Sequence, residues 1–314
     1  MDIRLYKSKA RHDGEFNGGY EDCTAEIVSG VYNNLFPDVS PSEHESGYTR
    51  YRKLFVHAVT QTLSETYLGI LHRSPAGDYF RIHAATAGQT QGGLLASGSF
   101  KWYGTGYLVN SAAAGLSVLT VNFDEVLPDL AASDKILVAD NVNNEMHVIS
   151  AITFSGISAT ITLAEVLSHS YAENSQCCHL LALGGVEPSF SDWSESSSGG
   201  SYDESGHPPE LYLIGTVEDN WTLTFAGATY FTCVGTTSGN LGTGYIAEDF
   251  SPTNPVGGTY FTILSAGWGG TWQNGDTVTF KTHPASKAAW VKEVIPAGSA
   301  ASAFNETPLV VIYA

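Results

Sequence analysis

Apolar side chains alternate with polar ones along much of the chain, in runs of about five to eight residues bounded by Gly, Asn, Asp, Pro and Ser. Successive side chains of a strand point to opposite faces, so each such run predicts a strand with one buried and one wet face. Trp221-Thr222-Leu223-Thr224-Phe225 and Thr277-Val278-Thr279-Phe280, the latter entered through Asn274-Gly275, are the clearest. By this pattern strands are expected at 3–7, 26–32, 51–56, 67–71, 79–83, 117–123, 135–139, 145–149 and 159–163. A further set is expected near 211–217, 221–225, 229–234, 243–247, 259–264, 276–281, 289–295 and 308–313. Helical periodicity is scarce. One short turn is expected after Ser40, with Pro41 at its first position, Glu43 completing a capping box and Gly47 ending it.

The fold class expected is therefore all-β and multi-domain, built of sandwiches and barrels. An N-terminal β-domain covers 1–93, with the small, polar stretch 88–98 as a linker. Residues 94–185 suit a small β-barrel or meander, either serial or inserted into a sandwich completed by the flanking segments. The Ser, Gly and acidic stretch within 186–209 has too little apolar surface to pack and reads as a linker or mobile loop. Residues 210–314 carry seven or eight strands in about 105 residues, which matches an immunoglobulin-like sandwich.

Charge and cysteine content narrow the function classes. The chain holds 14 basic and 32 acidic residues, a net charge of −18. Such a field repels phosphate backbones and anionic bilayers, so neither direct nucleic-acid binding nor membrane binding is expected. Cys23, Cys177, Cys178 and Cys233 form no Cys-x-x-Cys pair and are too sparse for a disulfide scaffold. Cys177 and Cys178 are expected to be reduced, one facing a core and one facing out. Without a signal-like N-terminus or a long apolar run, the chain is expected to be soluble in the cytoplasm where it is made.

Candidate chemistry fails residue by residue. His44-Glu45-Ser46-Gly47-Tyr48 opens like a zinc-protease helix, but Tyr48 stands where the second histidine is needed. Asp140 to Glu145 has the composition of a calcium loop, yet Val142 replaces an oxygen ligand, and a hairpin turn is expected. Gly242-Thr243-Gly244-Tyr245-Ile246-Ala247 fits a dinucleotide fingerprint only formally, because its β-branched and aromatic residues favour a strand. Cys177-Cys178-His179 is short of metal ligands. Asp124, Glu125, Asp192, Glu195, Asp203 and Glu204 could supply a glycosidase pair, but 32 acidic residues give such pairs by chance. Trp221 and Trp290 read as core, whereas Trp268 and Trp272 flank glycines and could stack on a sugar. Arg50, Arg52 and Lys53 around Tyr51 form the one basic cluster, either a dock for an acidic partner or, more simply, a solvated strand face. No enzyme, catalytic residue, cofactor or metal site is expected.

Two regions resemble structural proteins of long-tailed bacteriophages and prophages. One is Ser29-Gly30-Val31-Tyr32-Asn33-Asn34-Leu35-Phe36-Pro37-Asp38-Val39-Ser40, followed by Glu43, Gly47 and Thr49 through Val56. The other comprises Trp221 through Phe225, Asn254-Pro255 before Tyr260-Phe261-Thr262, Gly267-Trp268-Gly269-Gly270-Thr271-Trp272, and Trp290 through Gly298. A weaker echo lies at Asn144-Glu145 and at Ala159 through Ala164. The resemblance implies a non-enzymatic virion protein, assembled in the host cytoplasm as a homo-oligomeric neck collar or tail component beside other neck or tail proteins. The alternative is a carbohydrate- or receptor-binding module of a phage fibre, using Trp268 and Trp272.

Overall fold

The computed structural model describes residues 2–127, 129–299 and 308–314. It is almost wholly antiparallel β-structure, as the alternation requires. The first strands are β1 (Ile3–Ala10), β2 (Gly18–Glu26), β3 (Tyr48–Ala58), β4 (Thr66–Ile70) and β5 (Tyr79–Ala85). Then come β6 (Thr105–Leu108), β7 (Val118–Phe123), β8 (Lys135–Ala139), β9 (Asn144–Ser155), β10 (Ser158–Leu163) and β11 (Gln176–Ala182). The rest are β12 (Ser189–Ser196), β13 (Gly200–Tyr202), β14 (Asp219–Phe225), β15 (Tyr230–Gly235), β16 (Gly239–Tyr245), β17 (Trp268–Gly270), β18 (Thr277–His283), β19 (Ser286–Ile295) and β20 (Leu309–Tyr313). Two short helices, α1 (Pro41–Ser46) and α2 (Gln91–Ser97), interrupt them.

The first unit is a sandwich. One layer is the five-stranded sheet β2-β1-β3-β19-β5, and the other is β20-β4-β11. Leu54, Val56, Ile82, Ala289 and Val291 from the first layer meet Leu68, Ile70 and Leu181 from the second. The strands at 289–295 and 308–313, expected in the third segment, thus belong here: β19 pairs with β3 from Ser286↔His57 to Ile295↔Tyr48 and with β5 on its other edge. A strand pattern states which face is buried but not against which sheet, so the sequence assigned β19 and β20 to their nearest neighbours along the chain.

The middle unit is a barrel. Its strands run β11-β6-β7-β10-β9-β8, and β8 closes the circle by pairing with β11 from Gln176↔Ala139 to Leu180↔Lys135. Leu119, Val121, Phe123, Ile136, Val138, Ile149, Ala159, Ile161 and Cys177 fill the interior. β11 serves both units, since its far end pairs with β4 through Leu181↔Leu68. Both of its faces are therefore covered, and Cys177 and Cys178 are each fully buried. That corrects the expectation that one would face out. A Cβ at Gly69 of β4 would lie 2.4 Å from the Cys178 sulfur, so this close crossing depends on glycine.

The third unit holds the five-stranded sheet β12-β18-β14-β15-β16 and the ribbon β13-β17. The inner face carries Trp221, Leu223, Phe225, Phe231, Val278 and Phe280, covered by Tyr260, Phe261, Ile263 and Trp272 from loops. The stretch expected as a linker is ordered: β12 is an edge strand bonded to β18, and Ser197 Oγ accepts from the N–H of Gly200 at 2.7 Å. An edge strand needs backbone partners more than apolar side chains, which is why composition misread it. Residues 88–98, also expected as a linker, contain α2. The strand expected at 26–32 does not form: β2 ends at Glu26, and the chain beyond it turns, with Gly30 at a positive φ of 76° that an extended strand does not have.

Candidate functional site

The residues singled out for chemistry are largely used by the fold. α1 begins as expected, with Ser40 capping, Pro41 in the first turn and Glu43 closing the capping box, and Gly47 follows at φ 75°. Asp140 accepts from the N–H groups of Val142 and Asn143, both at 2.7 Å, as a hairpin turn does. Gly242 to Tyr245 lie in β16 with no helix after them. Asp124 and Glu125 are engaged by Arg73, Arg81 and Lys292, Asp192 by Lys281, and Glu195 by the Trp193 indole. Among the described residues no group of three or more His, Cys, Asp and Glu is arranged to hold a metal ion. Among the described residues no helix is long and apolar enough to cross a membrane.

Two expectations are overturned by burial. Trp272 is only 1% exposed and lies flat on Phe225, ring centroids 4.2 Å apart at 6°, while Trp268 packs edge-on against Trp272 and Tyr202. The flanking glycines serve close packing instead: a Cβ at Gly267 would lie 2.4 Å from the Tyr202 ring, and one at Gly200, on the strand paired with β17, would lie 2.2 Å from the Trp272 ring. No sugar platform exists there. The basic cluster is also inside: Arg50, Arg52 and Lys53 are 2%, 7% and 1% exposed. Arg50 is ion-paired with Glu293 and Glu43 and donates to the Pro37 carbonyl at 2.8 Å. Arg52 meets Asp13 at 2.6 Å. Lys53 Nζ donates to the carbonyls of Gly19, Thr86, Ala87 and Gln89 at 2.5–3.1 Å. Burial pulls this ammonium down to about 7. These cations tie loops to β3 and offer nothing to a partner.

One surface feature follows from Arg50 and Arg52. Both guanidiniums lie over the Phe36 ring, at 5.8 and 5.7 Å, and Phe36 packs on Phe80. They hold the excursion 27–40 against the open end of the sandwich, around a cavity of about 900 Å³ reached by Leu5, Ile70, Val291 and Leu309. Leu35 and Phe36 turn inward, whereas Val28, Val31, Tyr32 and Val39 are exposed by 51%, 54%, 61% and 37%.

A second feature lies on the outer face of the third unit's sheet. Ser189 pairs with His283 and Ser191 with Lys281, while Asn220 of β14 pairs with Lys281 on the other side. Ser191 Oγ is 2.9 Å from Nε2 of His283, and Nδ1 of His283 is 3.0 Å from both carboxylate oxygens of Glu218. Tyr20 of β2 helps to close a polar cleft of about 210 Å³ around them. Glu218's hydrogen bond raises the His283 pKa, burial opposes it, and the charges of Glu218 and Asp192 add to the rise. Sequence reasoning missed this group. Its members come from β12, the approach to β14, and β18, and only strand register unites them.

A third junction joins the first and third units. His57 Nδ1 lies 2.8 Å from Glu21, and Nε2 lies 2.7 Å from the Leu213 carbonyl. Desolvation lowers the His57 pKa, but the Glu21 hydrogen bond and charge and the Leu213 carbonyl outweigh it, leaving a net rise.

No family model matches the chain, and no curated protein does. Among solved structures, VP17, a capsid protein of bacteriophage P23-77, is similar at 11% identity over 80% of this chain and 88% of that one, with a TM-score of 0.18. A superposition that loose carries no argument about the role of this chain.

Proposed function

We propose that this chain is a structural protein of a tailed-phage virion, non-enzymatic in that role, which assembles as a homo-oligomer in the neck collar or tail. It would be made in the host cytoplasm and contact other neck or tail proteins, with no direct contact to nucleic acid or membrane. The observation that carries the reading is the coincidence of two features in one segment. Residues 29–56 bear the resemblance to phage virion proteins, and the excursion 27–40, which overlaps them, turns Val31, Tyr32 and Val39 outward. Exposed apolar side chains held on a fixed frame are what a subunit interface requires, and rings form when each protomer presents such a patch to its neighbour.

The test is the mass of the purified chain by light scattering, with its copy number in purified virions. A discrete oligomer whose stoichiometry matches the particle supports the proposal, and Val31→Asp with Tyr32→Asp should shift it to monomer. A chain that is absent from virions overturns it. The fibre-module alternative loses its motivation, because Trp272 is buried in a core and Trp268 is half-buried against it.

A further inference from the structure

We propose that Ser191, His283 and Glu218 form a nucleophilic serine centre acting on short-chain carboxylic esters. This goes beyond the assembly role and does not depend on it. The connectivity carries the inference. Glu218 contacts Nδ1 of His283 through both oxygens at 3.0 Å, which selects the tautomer with the proton on Nδ1. Nε2 is then left to accept the Ser191 hydroxyl proton across 2.9 Å. A carboxylate that orients an imidazole, and an imidazole that faces a serine, is the arrangement by which a weak hydroxyl nucleophile is activated. Such a relay is recognised by geometry, whatever fold carries it.

The backbone beside Ser191 supports the same reading. The β12–β18 ladder skips from Ser191 to Ser194, and Asp192 holds a φ of 54°, left-handed backbone that a non-glycine residue seldom adopts. A bulge of this kind re-aims the side chains next to it. The cleft is also lined by Asn220 and by Lys281, whose ammonium pairs with Asp192 at 2.6 Å beside the bulge. At about 210 Å³ the cleft has room for a short acyl group.

The chemistry balances with ester and water alone. The Ser191 oxygen bonds to the carbonyl carbon as its proton passes to Nε2 and the carbonyl π pair moves onto oxygen. Return of that pair breaks the ester C–O bond, and the alcohol leaves with the proton from Nε2. Water repeats the two steps, releasing the carboxylic acid and restoring Ser191.

The experiment uses the full chain with a fluorophosphonate probe, adducts located by peptide mass spectrometry, and p-nitrophenyl acetate turnover measured against pH. One adduct per chain on Ser191 is expected, absent from Ser191→Ala and slowed at least about 100-fold in His283→Gln. The groups facing His283 are Glu218 and Asp192, which raise its pKa, and Lys281, which lowers it, with Tyr20 and Asp219 at the rim. Activity should rise with pH as His283 loses its proton. In Glu218→Gln that rise should move to lower pH while the plateau falls, a shift that a purely structural carboxylate would not produce. Circular dichroism of each variant separates lost chemistry from lost fold. Labelling no faster than in Ser191→Ala, or spread over other serines, overturns the proposal and leaves a surface hydrogen-bond network.

Discussion

At the residue scale, burial decides what each polar or aromatic side chain does. Trp272 was legible as an aromatic among glycines, but not as a buried one, because the Phe225 ring beneath it comes from β14, far along the chain. Trp272→Ala should therefore cost about 3–5 kcal/mol, the range for emptying a large core site. Urea denaturation would check this, and a change within about 0.5 kcal/mol would mean a surface residue. Lys53 makes the same point with opposite polarity. Its sequence context is a run of cations, yet four backbone carbonyls surround its ammonium. Lys53→Met keeps the apolar stem but removes the donor from all four, leaving the Thr86 and Gln89 carbonyls with only their backbone partners, so a loss of about 1–3 kcal/mol is expected in the same assay.

Elements differ in how much of them local sequence determines. α1 was readable to the residue, since a capping box is satisfied within four residues, and Glu43 then also meets Arg50 at 3.6 Å. Ser40→Ala should cost about 1 kcal/mol through loss of that cap, measured as a lowered melting temperature. β11 was not readable by alternation, because a strand covered on both faces is buried without a break, here Cys177, Cys178, His179, Leu180 and Leu181. Its crossing at Gly69 predicts that Gly69→Ala separates β4 from β11. Faster amide exchange at Leu68 and Leu181 would reveal it, and unchanged protection there would refute it. The edge strand β12 was misread for the opposite reason: its serines are wet, and it is ordered by the ladder with β18 together with one aromatic, Trp193, stacked on Phe280.

For the whole molecule, the decisive fact is that the chain returns to its first unit. β19 is the strand between β3 and β5, so ending the chain before residue 286 removes the middle of a sheet. Such a truncation should lose the first unit while leaving the barrel and the third sheet protected from protease, with cuts concentrated before about residue 90. The units are also joined by His57. Its folded pKa is raised, so its contribution is fully present below the unfolded value of about 6.5 and is lost as pH rises through the folded value. The melting-temperature gap between the native chain and His57→Gln should shrink as pH climbs from about 5 to 9. A gap that grows would contradict the Glu21 pairing.

The sequence by itself determined the all-β class, most strand positions, the helix cap and the hairpin turns. Each depends on side-chain alternation or on backbone satisfied within a few residues. Tertiary structure alone decided which sheet each strand joins, that β11 serves two units, that Arg50, Arg52, Lys53 and Trp272 are inside, and that Ser191, His283 and Glu218 meet. The physical reason is the same throughout. Alternation says that a face is buried, whereas the identity of the partner face is set by pairings between residues distant in the chain, such as Ser286 with His57.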